Sequence, residues 1–346
     1  MRILFDITHP AHVHFFRNPI RILVDSGHTV KVTSRDKDCT LQLLDRFDIS
    51  HECLSEQNSG GILGMANELI SRDTKLFGAA REFRPDVLAA IGGIWAAQVG
   101  WLLRKPSVVF YDTETARLQN ALTYPFATRI VVPQCYRGKL PERKAIRYRG
   151  YHELSYLHPE YFTPSRKIAL ENGMDPDADT FLIRLVSWKA SHDVGLKGWS
   201  HEVLNAVVEN LISRGQVIIS AEGGLPDHLK SLRYTGDPAQ IHHLMAYCRA
   251  SVGESATMAS ESVVLGVPAI YAAAESRGYV NEQSERFQMV KITSMSNPIK
   301  VVAAINEMLS VSGAVVANRH RKLLGDTIDV ARMVVSRLTN PTQLSV

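Results

Sequence analysis

The stretch GESATMASESVVLGVPAIY, residues 253–271, sets a glycine, two hydroxyl residues and a carboxylate ahead of a short apolar run. Ser255 and Thr257 stand where a helix should begin, with Gly253 before them and Ala256 between them. Glu261 follows in the same segment. Two chemistries suit this order. Ser255 can cap the helix by accepting one of the first-turn N–H groups that have no intrahelical partner. Alternatively, the hydroxyls and amides hold a phosphate at the positive end of the helix, and the carboxylate takes two sugar hydroxyls. Glu261 would lie about one and a half turns into the helix, where a carboxylate has little capping value, so the second use suits it better.

Other loops carry groups of the same kind. RLVSWKASHDVG (184–195) offers Ser187 and Trp188 after an apolar strand, and Ser187 pairs with Ser255 as a phosphate contact. THPAHVHFF (8–16) places three histidines after the first strand. An imidazole at a helix N-terminus stays neutral near pH 7 and suits a general base, which makes His12 and His14 candidates; capping or packing the helix is the other use. IGGIWAAQ (91–98) allows close backbone approach at Gly92 and Gly93, to a ligand or in a tight turn. YDTETARLQN (111–120) puts Asp112 and Glu114 at a strand end, as acid–base groups or as a helix cap. Asn281 and Gln283 are taken as sugar contacts. The aspartates of DKD (36–38) and DPDAD (175–179) fall where turns and caps are expected, so no metal site is expected. There is no P-loop, GxGxxG or GxSxG.

The elements that must position these groups alternate along the chain. RILFDI, HTVKVTS, DVLAAIG, PSVVFYD and TRIVVP read as strands in the first half, and DTFLIRLV, QVIISA, ASVGE, VPAIYA and VKITS in the second. Helical stretches lie between them. Continuous apolar strands alternating with helices imply parallel sheets covered on both faces. With 346 residues the chain exceeds the size at which one core stops growing. The expected fold is therefore α/β, two doubly wound Rossmann-like domains facing a cleft. The first spans 1–158 and the second 166–316, with a proline-bearing linker near 156–167. A closing helix in 317–346 packs back on the first domain.

Composition narrows the classes. A hydrophobic share of 45% and a charged share of 21% describe a globular chain. The longest uncharged run, Val87 to Leu103, is 17 residues and holds the glycine pair, which reads as strand, turn and helix rather than a membrane span. MRILFDI lacks the apolar length of a leader peptide. Four scattered cysteines without metal spacing suit a reducing cytoplasm and a role as small core groups. Residues 1–150 carry 21 Lys and Arg against 15 Asp and Glu, much of the excess in YRGKLPERKAIRYRG (136–150). That segment is either a solvated stretch or a surface for weak contact with an anionic membrane. No recognition motif accompanies it, so nucleic acid is not an expected partner.

Taken together, FDITHPAHVHFF, RGYHELSYLHPEYF, RLVSWKASHD and GESATMASESVVLGVP resemble the family catalogued as domain of unknown function 354, over nearly the whole chain. The architecture this resemblance implies is GT-B. The lipid-II-forming N-acetylglucosaminyltransferase is similar in having a histidine loop about fifteen residues before a helix-ending glycine; counted back from Gly27, this favours His12 over His14. UDP-N-acetylglucosamine 2-epimerase is similar in the spacing from Ser255 through Glu261 to Pro268, where its hydroxyl-rich turn binds pyrophosphate and its glutamate binds ribose. That resemblance extends the nucleotide contacts to Gly253, Ser255, Ala256, Thr257 and Glu261. Of the epimerase carboxylates only Glu114 has a counterpart, because Gly92–Gly93 stands where an aspartate is needed and no Pro-Glu-Glu follows.

The implied activity is metal-independent transfer of a sugar from a UDP-activated donor to a glycan or lipid-linked acceptor, with no cofactor. It would take place in the cytoplasm or at the inner membrane face. A UDP-sugar 2-epimerase and a non-catalytic nucleotide-sugar-binding partner subunit are the alternatives.

Overall fold

The computed structural model describes residues 1–56, 61–186 and 198–343. Ser187 and Trp188 lie outside the described residues. The chain divides into two compact units, Met1–Tyr161 with Thr327–Val346, and Phe162–Asp326.

The first unit is built on a seven-stranded sheet whose pairings are all parallel. Its strands are β1 (Arg2–Ile7), β2 (Thr29–Asp36), β3 (Glu52–Glu56), β4 (Val87–Ile91), β5 (Ser107–Phe110), β6 (Arg129–Pro133) and β7 (Ala145–Tyr148). They lie in the order β3-β2-β1-β4-β5-β6-β7. Helices α1 (Pro10–Asp25), α2 (Thr40–Arg46), α3 (Gly61–Phe83), α4 (Ile94–Leu102), α5 (Arg117–Thr123) and the single turn α6 (Leu154–Leu157) connect or follow them. The order reverses between β1 and β4, so the loops after these two strands diverge and leave a crevice at the carboxyl end of the sheet. The apolar run from Val87 becomes β4, the Gly92–Gly93 turn and α4.

Strands β3 and β7 were not among those expected from the sequence. Both are sheet edges, and Arg147 and Glu52 are exposed on them. An edge strand interrupted by charge lacks the continuous apolar run of a central parallel strand. Segment 136–150 is thus partly sheet rather than a solvated stretch. Lys144 donates to the carbonyls of Tyr124 and Pro125 at 2.9 and 2.8 Å, and Arg147 to that of Tyr136 at 2.9 Å. Arg137, Lys139, Arg143 and Arg149 are exposed.

The second unit holds a five-stranded sheet, again parallel throughout. Strands β8 (Thr180–Leu185), β9 (Gln216–Ala221), β10 (Ala250–Gly253), β11 (Ala269–Ala272) and β12 (Val290–Thr293) lie in the order β12-β11-β10-β8-β9. One face packs against α8 (His201–Ile212) and α12 (Pro298–Leu309), with Trp199 buried among them and its indole N–H on the Ala272 carbonyl at 2.7 Å. The other face is covered by α7 (Arg166–Glu171), α9 (Ile241–Met245) and α10 (Ala256–Val264). Helix α11 (Gly278–Glu285) follows β11.

The closing segment is two helices, not one. Helix α13 (Gly313–Asp326) belongs to the second unit and α14 (Val330–Thr339) to the first, where it packs on α1. The break falls where Asp329 leaves the helix to cap α14, accepting from the Arg332 amide at 3.0 Å. Of the four cysteines only Cys248 is a buried core group, and Cys53 is exposed.

The charged strut of the first unit is Arg72 on α3, fully buried. It donates to Asp6 at 2.5 Å, the Ser34 carbonyl at 3.1 Å and the Ser55 hydroxyl at 2.7 Å, and lies over the Trp95 ring. Removing one partner of such a pair strands a buried charge. Arg72→Met should therefore lower stability by about 3–5 kcal/mol, read from the urea midpoint at constant slope; a loss under about 1 kcal/mol would mean that the buried pair does not hold the unit together.

Candidate functional site

In the second unit the candidate groups gather where β10 ends and α10 begins. Gly253 closes the strand so near its neighbour that a Cβ there would lie 2.2 Å from the Arg184 carbonyl oxygen. Glu254 then folds back to accept from the Trp199 and Val186 amides at 2.7 and 3.3 Å. Burial nonetheless pushes its carboxyl above the usual range. Ser255 is the N-cap of α10, with its hydroxyl oxygen accepting from the Met258 amide at 3.2 Å. Capping is therefore what Ser255 does in this structure. Ala256 and Thr257, both half-buried, form the first turn, whose amides have no intrahelical acceptor and carry the positive end of the helix dipole.

Glu261 departs from expectation. Its side chain is buried, and Oε1 meets His242 Nε2 of α9 at 2.9 Å, so one carboxylate oxygen is engaged inside the unit rather than left for a bidentate ribose contact. The expected sugar contacts on α11 are also engaged. Gln283 is fully buried and donates to the Ser260 hydroxyl at 2.7 Å, and Asn281 accepts from Ser276 at 2.5 Å. His242 had no signal in the sequence, because its partner sits nineteen residues away on another helix.

In the first unit the three histidines after β1 have three different fates. His9 is the N-cap of α1, its Nδ1 accepting from the Ala11 amide at 3.2 Å. His14 is not at the site. It is a buried helix residue packed against the rings of Phe47 and Tyr156, because position 14 faces the interior of the unit. His12 is half-buried, with Nδ1 at 3.4 Å from both the amide nitrogen and the hydroxyl of Thr8. A backbone amide can only donate, so the neutral ring carries its proton on Nε2.

The glycine pair after β4 is closed by the protein itself. Gly92 has φ +63°, and its carbonyl accepts from Gln119, Thr123 and the Tyr111 hydroxyl at 2.7, 3.2 and 3.2 Å. The close approach that this turn permits is that of α5, not of a sugar. At Gly93 a Cβ would lie 2.7 Å from Ala90 Cβ and 3.0 Å from Val109 Cγ1.

Asp112, beyond β5, is the centre of the cluster. Its Oδ2 lies 3.2 Å from Nδ1 of His152, a residue beyond β7 that the reading of single motifs missed, and Oδ1 accepts from Thr113 at 3.0 Å. Burial works to raise the Asp112 carboxyl, but its pairing with His152, the Thr113 hydrogen bond and the nearby His12 ring outweigh it and leave a pKa of about 2. Glu114 accepts from the Arg137 amide at 3.4 Å. Burial lowers His12 well below its ordinary value, helped by His9 and opposed by Asp112. Burial and Lys37 lower His9 to about 4. The arrangement sets one carboxylate held as an anion beside His9 and His12, whose burial disfavours protonation, with a third ring, His152, paired to the carboxylate; such a set suits acid–base chemistry. Among the described residues no group of three or more His, Cys, Asp or Glu is arranged to hold a metal ion, and no single helix is long and apolar enough to cross a membrane.

The model of the family described as protein of unknown function (DUF354) matches residues 1–343. The chain belongs to this family. The uncharacterized protein MJ0665 of Methanocaldococcus jannaschii is 23% identical over 283 residues, 78% of this chain and 80% of that protein. Among solved structures, the UDP-GlcNAc 2-epimerase of the same organism matches with a TM-score of 0.71 at 14% identity, covering 98% of this chain and 100% of that one. The UDP-GlcNAc 2-epimerase of Neisseria meningitidis, bound to UDP-GlcNAc, gives 0.69 at 12% with the same coverage. The calicheamicin glycosyltransferase CalG4 gives 0.63 at 14%, covering 98% and 97%. The fold is GT-B, shared by epimerases and glycosyltransferases alike.

The neutral imidazoles make stability depend on pH. Unfolded, His9 and His12 titrate near 6.5; folded, both resist protonation, His9 down to about 4. The unfolded chain thus binds more protons in this window, so stability is intact above about pH 6.5 and declines as pH falls toward 4. The Asp112 titration, at about 2, lies below it. The urea midpoint should fall between pH 7 and 4.5, and the His9→Asn, His12→Asn double variant should show a shallower fall; equal slopes would mean that the rings are not held neutral.

Proposed function

We propose that the chain is an enzyme of nucleotide-sugar chemistry, a glycosyltransferase that moves a sugar from a UDP-activated donor to the hydroxyl of a glycan or lipid-linked acceptor. The second unit takes the nucleotide. Ser255, Thr257 and the first-turn amides of α10 lie near the phosphates, with Ser187 contributing from the loop after β8. The leaving diphosphate gains its stabilisation from the helix terminus, without a divalent metal. Glu261, held in place by His242, takes the ribose. The first unit supplies the acid–base groups, with Asp112 as the fixed anion. The exposed Arg137, Lys139, Arg143 and Arg149 give weak, reversible contact with anionic membranes, at about 1 kcal/mol for each residue that reaches the surface.

The observation that carries this choice is the packing at Gly93. The resemblance to the epimerase family implies an aspartate where Gly92–Gly93 stands, and here Ala90 and Val109 already fill the space that a Cβ at Gly93 would need. The second reading, a UDP-sugar 2-epimerase, is favoured by Glu114 and by the TM-scores of the epimerase structures, 0.69 and 0.71 against 0.63 for CalG4.

Incubation with UDP-N-acetylglucosamine in heavy water separates the two. Transfer to water or to an added acceptor releases UDP and leaves the C2 proton in place, whereas epimerisation exchanges it. Deuterium at C2 without UDP release would overturn the transferase reading. For the nucleotide site, Glu261→Gln keeps an acceptor for His242 but removes the charge. It should weaken UDP binding by about 10–150-fold, the loss of one charged hydrogen bond; unchanged affinity in calorimetry would reduce Glu261 to a structural partner of His242.

A further inference from the structure

The motif RGYHELSYLHPEYF contributes nothing to the nucleotide side, yet it delivers His152 to Asp112. The ring is fixed on two sides. Its face lies against Phe15, with centroids 4.4 Å apart, and its Nδ1 lies 3.2 Å from the Asp112 carboxylate. A carboxylate can only accept, so in the neutral ring Nδ1 carries the proton and Nε2 carries a lone pair. That Nε2 is buried and has no hydrogen-bond partner among the described residues, in a side chain 7% exposed. A buried acceptor without a partner is costly and calls for an explanation.

The neighbouring imidazoles are wired the opposite way. Nδ1 of His9 accepts from the Ala11 amide and Nδ1 of His12 from the Thr8 amide, so each leaves its Nε2 protonated. Of the three rings, His152 alone offers a lone pair at Nε2. Asp112 keeps 22% of its side-chain exposure and His12 is half-buried, which puts the pair just beneath the surface of the first unit. Catalytic hydrogen bonds commonly reach their final alignment only when substrate is bound.

We infer that His152 is the general base of the transfer reaction, that Asp112 is its positioning residue, and that His12 acts as a hydrogen-bond donor rather than as the base. This rests on the glycosyltransferase reading above. In the step, the proton of the acceptor hydroxyl passes to His152 Nε2 as its oxygen forms a bond to the sugar C1. The bond from C1 to the phosphate oxygen breaks, and its electron pair leaves with the nucleoside diphosphate. The imidazolium that forms lies against the Asp112 carboxylate and then releases its proton to solvent. The hydrogen bond to Asp112 thus strengthens as the reaction proceeds, which is how a positioned carboxylate lowers a barrier.

Two measurements on the full chain test this. The first is the ring nitrogen spectrum of the 15N-histidine-labelled protein. It should report His152 as the Nδ1–H tautomer and His12 as the Nε2–H tautomer. In Asp112→Asn, whose amide can donate, the His152 pattern should be lost. A His152 ring protonated at Nε2 in the wild type would overturn the assignment. The second is UDP release from UDP-N-acetylglucosamine with water as acceptor. His152→Ala should lower kcat by about 10²–10⁴ with KM for the donor little changed, and free imidazole should restore part of the rate. His152→Gln keeps the side-chain bulk against Phe15 and should show the same loss while remaining folded. His12→Asn should cost less. If the wild type releases UDP and both His152 variants do so at its rate, the base assignment fails while the transferase reading stands. If the wild type releases none, the transferase reading fails and the base assignment with it.

Discussion

A parallel sheet covered by helices on both faces buries its strands along their whole length, and almost every side chain in β1, β4, β5 and β6 is buried here. Polar chemistry is thereby confined to the loops beyond the carboxyl ends of the strands. The cluster of the first unit gathers beyond those ends: His12 in the first turn of the helix after β1, Asp112 in the loop after β5 and His152 after β7. The second unit obeys the same constraint, with Ser255 after β10. Because β5, β6 and β7 lie side by side in the sheet, Asp112 and His152, forty positions apart, meet at one end of it.

Within that frame the first unit is organised by a single anion. Asp112 would be raised by burial, and it is the neighbouring imidazoles and Thr113 that hold it ionised. The same burial keeps His9 and His12 neutral. A carboxylate with hydrogen-bond partners, beside rings that burial keeps from protonating, is a stable solution in a half-buried place, where an unpaired second charge would be costly. Hydrogen-bond direction then sets each ring's chemistry. Backbone amides make His9 and His12 donors, while a carboxylate makes His152 an acceptor.

The second unit uses burial differently. Glu254 accepts backbone amides and Glu261 meets His242, so both acids near the start of α10 bind the unit together. The helix terminus remains as the feature with anion-binding character, and Ser255 shapes it by capping. Family membership and fold leave two chemistries open, epimerisation and transfer. A fold of this kind hosts many reactions, and the site decides among them.

The alternation of apolar strands with helices, readable locally, determined the fold class, the twofold organisation and ten of the twelve strands among the described residues; β3 and β7 escaped because edge strands need no continuous apolar run. It also fixed which loops matter, since carboxyl-end loops follow from strand direction alone. Side-chain partnership was not determined at that level. Histidines 9, 12 and 14 look alike in sequence, yet one caps a helix, one joins the cluster and one packs in the interior, because successive helical positions point in different directions. Gly92–Gly93 allows a ligand's approach or a tight turn in sequence, and in the fold the Gly92 carbonyl takes Gln119 of α5; Glu261, read as a ribose ligand, meets His242. The pairing of Asp112 with His152 depends on the lateral order of β5, β6 and β7, a property of the assembled sheet that no local pattern encodes.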